Sequence, residues 1–70
     1  MMRDIGKNIR DLRQQKHLTQ EELAERLFVT RQTVSNYENG RTRPDVDQIL
    51  RLAEIFDTDA NAVLYGPPVP

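Results

Sequence analysis

The 70-residue chain contains no cysteine and a single histidine, His17. Disulfide bonds are therefore excluded, and one histidine cannot by itself hold a structural zinc ion. A fold without either kind of cross-link is typical of a reducing compartment, so the sequence predicts a cytoplasmic protein with no metal site. No apolar run approaches the roughly 20 residues of a membrane span, and the N-terminus lacks the apolar stretch of a secretory signal.

The usual parts of a catalytic site are also scarce. With no cysteine, one histidine and three glycines, the chain offers no Cys–His pair and no glycine-rich phosphate loop. Glu21 and Glu22 are adjacent carboxylates, but a helix is predicted to begin there, and the helix dipole favours negative charge at its start. The sequence therefore predicts a protein that is not an enzyme and that needs no cofactor.

The chain has little net charge, −1 at pH 7, whereas domains that bind nucleic-acid phosphates usually carry a basic excess. The charge is unevenly distributed, however. Basic residues outnumber acidic residues in segments 1–16 and 28–43, and acidic residues outnumber basic residues in segments 17–27 and 44–70. Two basic segments are thus available for a polyanion, and specific contacts must supply what net charge does not.

Apolar residues recur at helical spacing, and no stretch alternates with the period of two that a half-buried strand would show. Helix starts are indicated by candidate N-cap residues at Thr19, Thr30, Asp45 and Asp59, two of which form capping boxes with Glu22 and Gln48. Apolar stripes are formed by Ile5, Ile9 and Leu12, then by Leu23, Ala24 and Leu27, then by Val34 and Tyr37, and then by Val46, Ile49, Leu50, Ala53 and Phe56.

These signals predict an all-α fold, a compact domain of five helices. The first helix is expected over about 4–16, the third is expected to end at Asn39 and Gly40, and the fifth is expected to run through Tyr65 to Gly66. The domain is assigned to residues 1–66. Residues 67–70 are rich in proline and are predicted to be a tail or the first residues of a linker.

The second and third helices are separated by only a few residues, as in a helix-turn-helix, where one helix braces another as it enters the DNA major groove. Apart from Arg31, the exposed residues of the predicted third helix are uncharged amides and hydroxyls. Gln32 and Asn36 lie one helical turn apart, and both side chains can make bidentate contacts with the N6/N7 edge of adenine. The third helix, about 30–38, is therefore predicted to contact base pairs.

Four stretches of the chain form a pattern: IRDLR at 9–13, LTQEELA at 18–24, VTRQTVSNYENG at 29–40, and Pro44 with Leu52 and Ala53. Together they resemble the phage repressor and Cro family of helix-turn-helix domains, also called the xenobiotic-response-element family. The resemblance extends from Ile5 to Leu64. It implies a five-helix domain that binds double-stranded DNA.

The resemblance also implies roles for individual residues. Contacts with base edges are expected from Arg31, Gln32, Thr33 and Asn36. Contacts with the DNA backbone are expected from Gln20, Thr30, Asn39, Arg41 and Arg43. A structural ion pair is expected between Arg13 and Glu38.

The chain departs from the family pattern in the turn between the second and third helices. The position that is most often glycine, because glycine adopts positive φ without penalty, is occupied by Phe28. A left-handed phenylalanine carries strain of roughly 1–3 kcal/mol, which packing would have to compensate. The turn is expected to form at some cost in stability.

The pattern as a whole predicts a sequence-specific transcriptional regulator, expected to be a repressor, that binds a palindromic operator as a homodimer. The dimer contact is expected to involve Val63, Leu64 and Tyr65. Two alternatives stay open. One is an antitoxin or other protein-interaction module that uses its acidic segment 44–70 and binds DNA only for autoregulation. The other is the DNA-targeting end of a longer chain cut at the proline-rich tail.

Overall fold

A computed structural model describes residues 4–66, in which there are five α-helices and no strands. They are α1 (Ile5–Gln15), α2 (Gln20–Leu27), α3 (Arg31–Glu38), α4 (Val46–Ile55) and α5 (Ala60–Tyr65). The predicted all-α, five-helix fold is confirmed. None of these helices has the length and apolarity that crossing a bilayer requires. The predicted tail at 67–70 lies outside the described residues.

Every helix begins at a side-chain cap. The side-chain oxygen of the residue before each helix accepts the backbone N–H three residues later, and these caps are Asp4, Thr19, Thr30, Asp45 and Asp59. In the capping box of α2, Glu22 Oε1 also accepts the Thr19 backbone N–H at 2.9 Å. This backbone bond, more than any other contact, lowers the pKa of Glu22. The bond therefore supports α2 at neutral pH and is lost as pH falls through that lowered pKa.

Each of the four longer helices is followed by a residue in the left-handed conformation. In chain order these residues are His17, Phe28, Gly40 and Asp57. At each end, the N–H of the next residue bonds back across the last turn, as in Arg41 N to Asn36 O at 2.9 Å and Val29 N to Ala24 O at 3.0 Å. This is the Schellman pattern, which supplies donors to carbonyls that have no partner within the helix. Three of the four positions hold a residue other than glycine, so Phe28 is one of three non-glycine residues that adopt this conformation at a helix end.

The core gathers at least one fully buried side chain from every helix. Ile9, Leu23, Val34, Leu52 and Val63, one from each helix in order, are the largest of these. The predicted stripe on α4 is partly wrong. Val46 is 71% exposed and Leu50 is 51% exposed, whereas Leu52 is fully buried. A core stripe that includes Leu50 and one that includes Leu52 both fit a period of 3.6 residues. Leu52 belongs to the core because the side of α4 on which it lies packs against the neighbouring helices, α2 and α5.

The expectation for Val63 is also wrong. This residue was expected to lie in a dimer contact, but its side chain is fully buried within the domain. Its carbonyl oxygen accepts a hydrogen bond of 3.0 Å from the side-chain amide of Asn8, a buried residue of α1. The contact supplies a partner for one of the last carbonyls of α5 and ties the fifth helix to the first.

A buried ion pair fixes α1 against the end of α3. Arg13 Nε lies 2.6 Å from Glu38 Oε2, and Arg13 Nη2 donates to Glu38 Oε1 at 3.1 Å. Arg13 Nη1 also donates to the carbonyl oxygen of Leu18 at 2.9 Å. The Glu38 side chain is 1% exposed, so this bidentate bond is shielded from solvent. The pair expected between Arg13 and Glu38 is therefore present in the structure.

Gly6 allows the two helices to come this close. A Cβ atom built at Gly6 would overlap the carbonyl oxygens of Tyr37 and Glu38, and would lie 2.6 Å from the second of these. No flexible side chain could move aside to relieve the overlap, because the contacts are with backbone. Glycine at position 6 is thus required for the approach that the ion pair uses.

Replacing Arg13 with alanine is expected to lower the free energy of unfolding by about 3 kcal/mol, because a buried carboxylate would lose its main partner. The matched control is Lys7→Ala, which removes an exposed ion pair with Asp11 of 2.8 Å. Its effect is expected to stay below about 1 kcal/mol. Urea denaturation of the three proteins measures both changes, and equal losses would contradict the structural role of the buried pair.

Phe28→Gly is expected to be more stable than Phe28→Ala by about 1 kcal/mol, because alanine carries the left-handed strain and glycine does not. Phe28 has φ 59° and ψ 41°. The control is the same pair of substitutions at exposed Glu25, which lies within α2. There the order should reverse, with alanine the more stable by roughly 0.5–1 kcal/mol. Thermal unfolding of the four variants tests the opposite signs.

Candidate nucleic-acid interface

The third helix is buried on one side and open on the other. Val34, Tyr37 and Glu38 face the interior. Arg31 and Gln32 are exposed, and Thr33, Ser35 and Asn36 are half-buried. The helix therefore presents a continuous polar surface from a backbone that is held on its opposite side by apolar packing and by the buried ion pair.

Gln32 and Asn36 are joined on this polar surface. Gln32 Nε2 donates to Asn36 Oδ1 at 3.0 Å, across one helical turn. The bond uses one of the two N–H groups of the Gln32 amide, so the other N–H and the carbonyl oxygen remain available for further hydrogen bonds. One available donor beside one available acceptor is the pattern that the N7 and N6 positions of adenine complement.

Thr30 and Thr33 are occupied with the start of α3. The hydroxyl of Thr30 accepts the backbone N–H of Thr33 at 3.2 Å and lies 3.1 Å from the Thr33 hydroxyl. Both residues thus have local structural partners. Each hydroxyl still has further hydrogen-bonding capacity, so these contacts leave the expected DNA roles of Thr30 and Thr33 as predictions.

Gln20 connects the buried ion pair to the polar surface. Its amide nitrogen donates to Glu38 Oε1 at 3.1 Å, and its carbonyl oxygen accepts from Arg31 Nη1 at 3.3 Å. The first residue of α2 thus bridges the last and first residues of α3. Its amide orientation is set by the Glu38 carboxylate, which can only accept, and this turns the Gln20 carbonyl toward Arg31.

The remaining predicted contacts lie where the chain leaves α3. The Asn39 side chain donates to Ser35 Oγ at 3.3 Å. Arg41 and Arg43 are exposed in the loop that follows Gly40, whose φ is 75°. The chain turns there through the backbone bond from Arg41 N to Asn36 O. This loop adds two guanidinium groups beyond the C-terminal end of α3.

Sequence reasoning missed three residues of this region. Ser35 bonds the Asn39 side chain, and Arg10 lies beside Glu38, with Nε 3.6 Å from Oε1. Gly6 permits the close approach of α1 and α3. The four-residue spacing of Ser35 and Asn39, which is also that of Gln32 and Asn36, could have predicted the first of these contacts. The other two depend on contacts between segments far apart in the chain, which periodicity does not report.

The chemistry of this surface is that of recognition. Amides, hydroxyls and guanidinium groups dominate it, and within residues 4–66 no three potential metal ligands are grouped together. Such side chains bind polar edges and phosphate oxygens by hydrogen bonds and charge.

The same fold occurs in solved structures of several different proteins. The restriction-modification controller protein C.AhdI from Aeromonas hydrophila is 31% identical, with a TM-score of 0.81, and the match covers 87% of this chain and 92% of that one. The P22 c2 repressor in complex with a synthetic operator is 23% identical, with a TM-score of 0.83. The match covers 93% of this chain and 98% of the repressor chain. At that identity the likeness concerns the fold alone.

The same fold also forms part of an enzyme. Hydroxypropylphosphonic acid epoxidase from S. wedmorenis is 28% identical, with a TM-score of 0.81, and the match covers 96% of this chain and only 35% of the epoxidase. Most of the epoxidase therefore lies outside the shared region. A function for the present chain must rest on its own exposed residues rather than on the fold.

Among sequence relatives, the HTH-type transcriptional activator BcrR of Enterococcus faecalis is 32% identical over 63 residues, which are 90% of this chain and 31% of BcrR. The chain spans 31% to 53% of the length of the first three curated relatives. A helix-turn-helix family model matches residues 9–62, from α1 into α5. The chain belongs to the helix-turn-helix family, in its phage repressor and Cro type.

Proposed function

We propose that this chain is a sequence-specific regulator of transcription that binds double-stranded DNA by placing α3 in the major groove. The observation that carries the proposal is the Gln32–Asn36 hydrogen bond on the exposed side of α3. It holds an amide in a fixed orientation on a helix that is itself anchored from behind. The BcrR activator, a sequence relative, and the operator-bound P22 repressor, which has the same fold, support the proposal.

In the proposed complex, the outward N–H of Gln32 donates to adenine N7 and its carbonyl oxygen accepts from the N6 amino group. Asn36 restrains the Gln32 side chain, so less rotamer entropy is lost on binding. Arg31 is held at the start of the same helix by Gln20 and is placed to reach guanine O6 and N7 or a phosphate. Thr33 and Asn36 complete the set of proposed base contacts.

Contacts with the backbone are proposed for Gln20, Thr30, Asn39, Arg41 and Arg43. Phosphate contacts fix the register of a protein on the duplex without conveying sequence. Because the net charge is −1, the sequence-independent attraction to DNA is expected to be weak. Selectivity then depends on the hydrogen bonds of α3.

The protein is proposed to act as a repressor in the bacterial cytoplasm, where it occupies a palindromic operator as a homodimer and performs no reaction. A two-fold dimer places two copies of α3 about 34 Å apart, one helical turn of DNA. Among the similar proteins described above, BcrR is named a transcriptional activator, C.AhdI a controller protein and P22 c2 a repressor, and these names favour regulation over the interpretation as a protein-interaction module.

Selection of bound duplexes from a randomised DNA pool at roughly 150 mM salt, where weak charge contacts are largely screened, tests the function. Enrichment of an inverted repeat with half-sites about one helical turn apart is expected. Recovery of unrelated sequences in proportion to the starting pool would contradict sequence-specific binding.

Replacing Gln32 with alanine is expected to weaken binding to the selected site by roughly 1–3 kcal/mol and to relax base preference at one position of each half-site. Asn36→Ala is expected to affect the same position, and the two losses should not add, because Asn36 acts partly through Gln32. Gln15→Ala, an exposed glutamine of α1, is the matched control and should leave affinity unchanged. Titrations of the four duplexes that differ at that base pair measure these effects. Unchanged preference in Gln32→Ala would show that α3 docks differently.

A further inference from the structure

A small cavity of about 170 Å³ lies where the start of α1 meets the end of α3. It is lined by the first residues of α1, by Tyr37 of α3 and by residues of the loop that follows α3, among them Thr42 and Arg43. Sites for drug-sized ligands are larger, roughly 300–1,000 Å³. This cavity therefore suits a single small group rather than a whole organic ligand.

Tyr37 brings a hydroxyl without a partner to this cavity. Its side chain is 9% exposed, and the hydroxyl takes part in no hydrogen bond with another of residues 4–66. No fully buried side-chain oxygen or nitrogen in that part of the chain lacks a partner, so the hydroxyl must reach solvent. Since Tyr37 lines the cavity, its hydroxyl opens there. The core thus holds the ring and leaves its one polar group to a ligand.

The start of α1 adds backbone donors to the same cavity. The Lys7 N–H donates to Asp4 Oδ1 at 3.2 Å, and the Asn8 N–H donates to the Asp4 carbonyl oxygen at 3.0 Å. The N–H groups of Ile5 and Gly6, two residues that line the cavity, find no acceptor among residues 4–66. The free N–H groups at a helix start carry a partial positive charge and bind anions.

The loop after α3 contributes a positive charge and a second hydroxyl. Arg43 is exposed and takes part in none of the ion pairs found among residues 4–66, and Thr42 is exposed beside it. The Asp4 carboxylate also lines the cavity and opposes this charge, although one of its oxygens is bonded to the Lys7 N–H. Two backbone N–H groups, two hydroxyls and a guanidinium thus face one carboxylate. Such a set of donors suits an oxyanion with several acceptor oxygens.

We propose that this cavity binds a phosphate group, held by the Tyr37 hydroxyl, the first N–H groups of α1 and the guanidinium of Arg43. Both the DNA backbone and free phosphate present this tetrahedral oxyanion. The DNA source rests on the proposed function, in which Arg41 and Arg43 contact the backbone where the chain leaves α3. The cavity lies at that same exit, so a backbone phosphate held in it would be next to those contacts. A core residue, Tyr37, thereby takes part in binding.

Tyr37→Phe removes the hydroxyl alone and keeps the buried ring. Its urea denaturation should match that of the wild type, because the hydroxyl has no partner within residues 4–66. Its affinity for the selected duplex and for an unrelated duplex should fall by about three- to tenfold, since a phosphate contact carries no sequence information. Thr58→Val is the matched control, which removes a hydroxyl in the turn before α5, outside the cavity, and should bind both duplexes like the wild type.

The salt dependence of binding separates the neutral donor from the charged one. Tyr37→Phe should keep the wild-type slope of log affinity against log salt concentration, because a hydroxyl neutralises no phosphate. Arg43→Gln should reduce the magnitude of that slope by about one. A change of slope in Tyr37→Phe as large as that in Arg43→Gln would show that the variant disturbs the loop rather than one contact, and would overturn the role of the hydroxyl.

Two probes distinguish the sources of the phosphate. Inorganic phosphate is titrated into the isotope-labelled 70-residue chain, where saturable shifts of the Ile5 and Gly6 amides, absent with chloride at equal ionic strength, identify free phosphate. Duplexes in which single backbone phosphates are replaced by neutral methylphosphonates test the DNA. Replacement of the contacted phosphate should weaken the wild type severalfold and Tyr37→Phe less, because both changes remove the same contact. Absence of those amide shifts, together with equal losses of the two proteins at every methylphosphonate, would overturn the proposal.

Asp4 supplies a test with the opposite sign. Asp4→Asn keeps an efficient helix cap and removes the carboxylate that lines the cavity. Affinity for the probe that binds, duplex or inorganic phosphate, should rise severalfold at low salt and little at high salt, because exposed charges are screened. Asp47→Asn makes the same change of net charge on α4, outside the cavity, and should have a smaller effect. Equal gains in the two variants would overturn the location of the site.

The phosphate site and the proposed function fail separately. A wild type that shows no base preference in the randomised pool would refute the proposed function, while Tyr37→Phe would still weaken binding to any duplex or to inorganic phosphate. Clear base preference, with equal affinity of wild type and Tyr37→Phe for both duplexes and no phosphate shifts at Ile5 and Gly6, would overturn only the phosphate site.

Discussion

The buried carboxylate of Glu38 is the constraint on which the rest of the structure depends. A carboxylate that is 1% exposed must be paired, and Arg13 supplies a bidentate partner from a position 25 residues earlier in the chain. The pair is possible because Gly6 lets α1 meet the end of α3 at backbone distance. Since Arg13 also bonds the Leu18 carbonyl just before α2, one guanidinium fixes α1, the entry to α2 and the exit from α3.

This constraint reaches the exposed surface through Gln20. Glu38 can only accept hydrogen bonds, so it orients the Gln20 amide nitrogen inward and leaves the carbonyl oxygen to Arg31. On the same helix, Asn36 restrains Gln32. Arg31, Gln32 and Asn36 thus each have a side-chain hydrogen-bond partner within the domain. In the proposed function of a chain with a net charge of −1, specific hydrogen bonds contribute more than general attraction to a polyanion.

The fold is shared by proteins with different tasks, including a controller protein and one part of an epoxidase, and a sequence relative is named an activator. What distinguishes a member lies on its surfaces, because the packed interior only has to hold the helices in place. Here the surface that stands out is the amide-rich side of α3. The loop that carries Arg41 and Arg43 leaves the C-terminal end of α3 and adds two exposed guanidinium groups there.

Helix starts follow from the sequence because a capping side chain bonds an amide only three residues away, and Thr19, Thr30, Asp45 and Asp59 were all identified in this way. The polar composition of α3 likewise follows directly from the sequence of that segment. The Arg13–Glu38 pair, by contrast, was expected only from family resemblance. Other features needed the tertiary structure. Apolar spacing could not choose between Leu50 and Leu52 for the core, because both sides of α4 fit the helical period. It also could not place Val63 in the core, because α5 has only six residues and its buried side is set by the helices packed against it. The requirement for Gly6 was likewise decided by the neighbouring helix, since contacts between distant segments leave no periodic signal in either one.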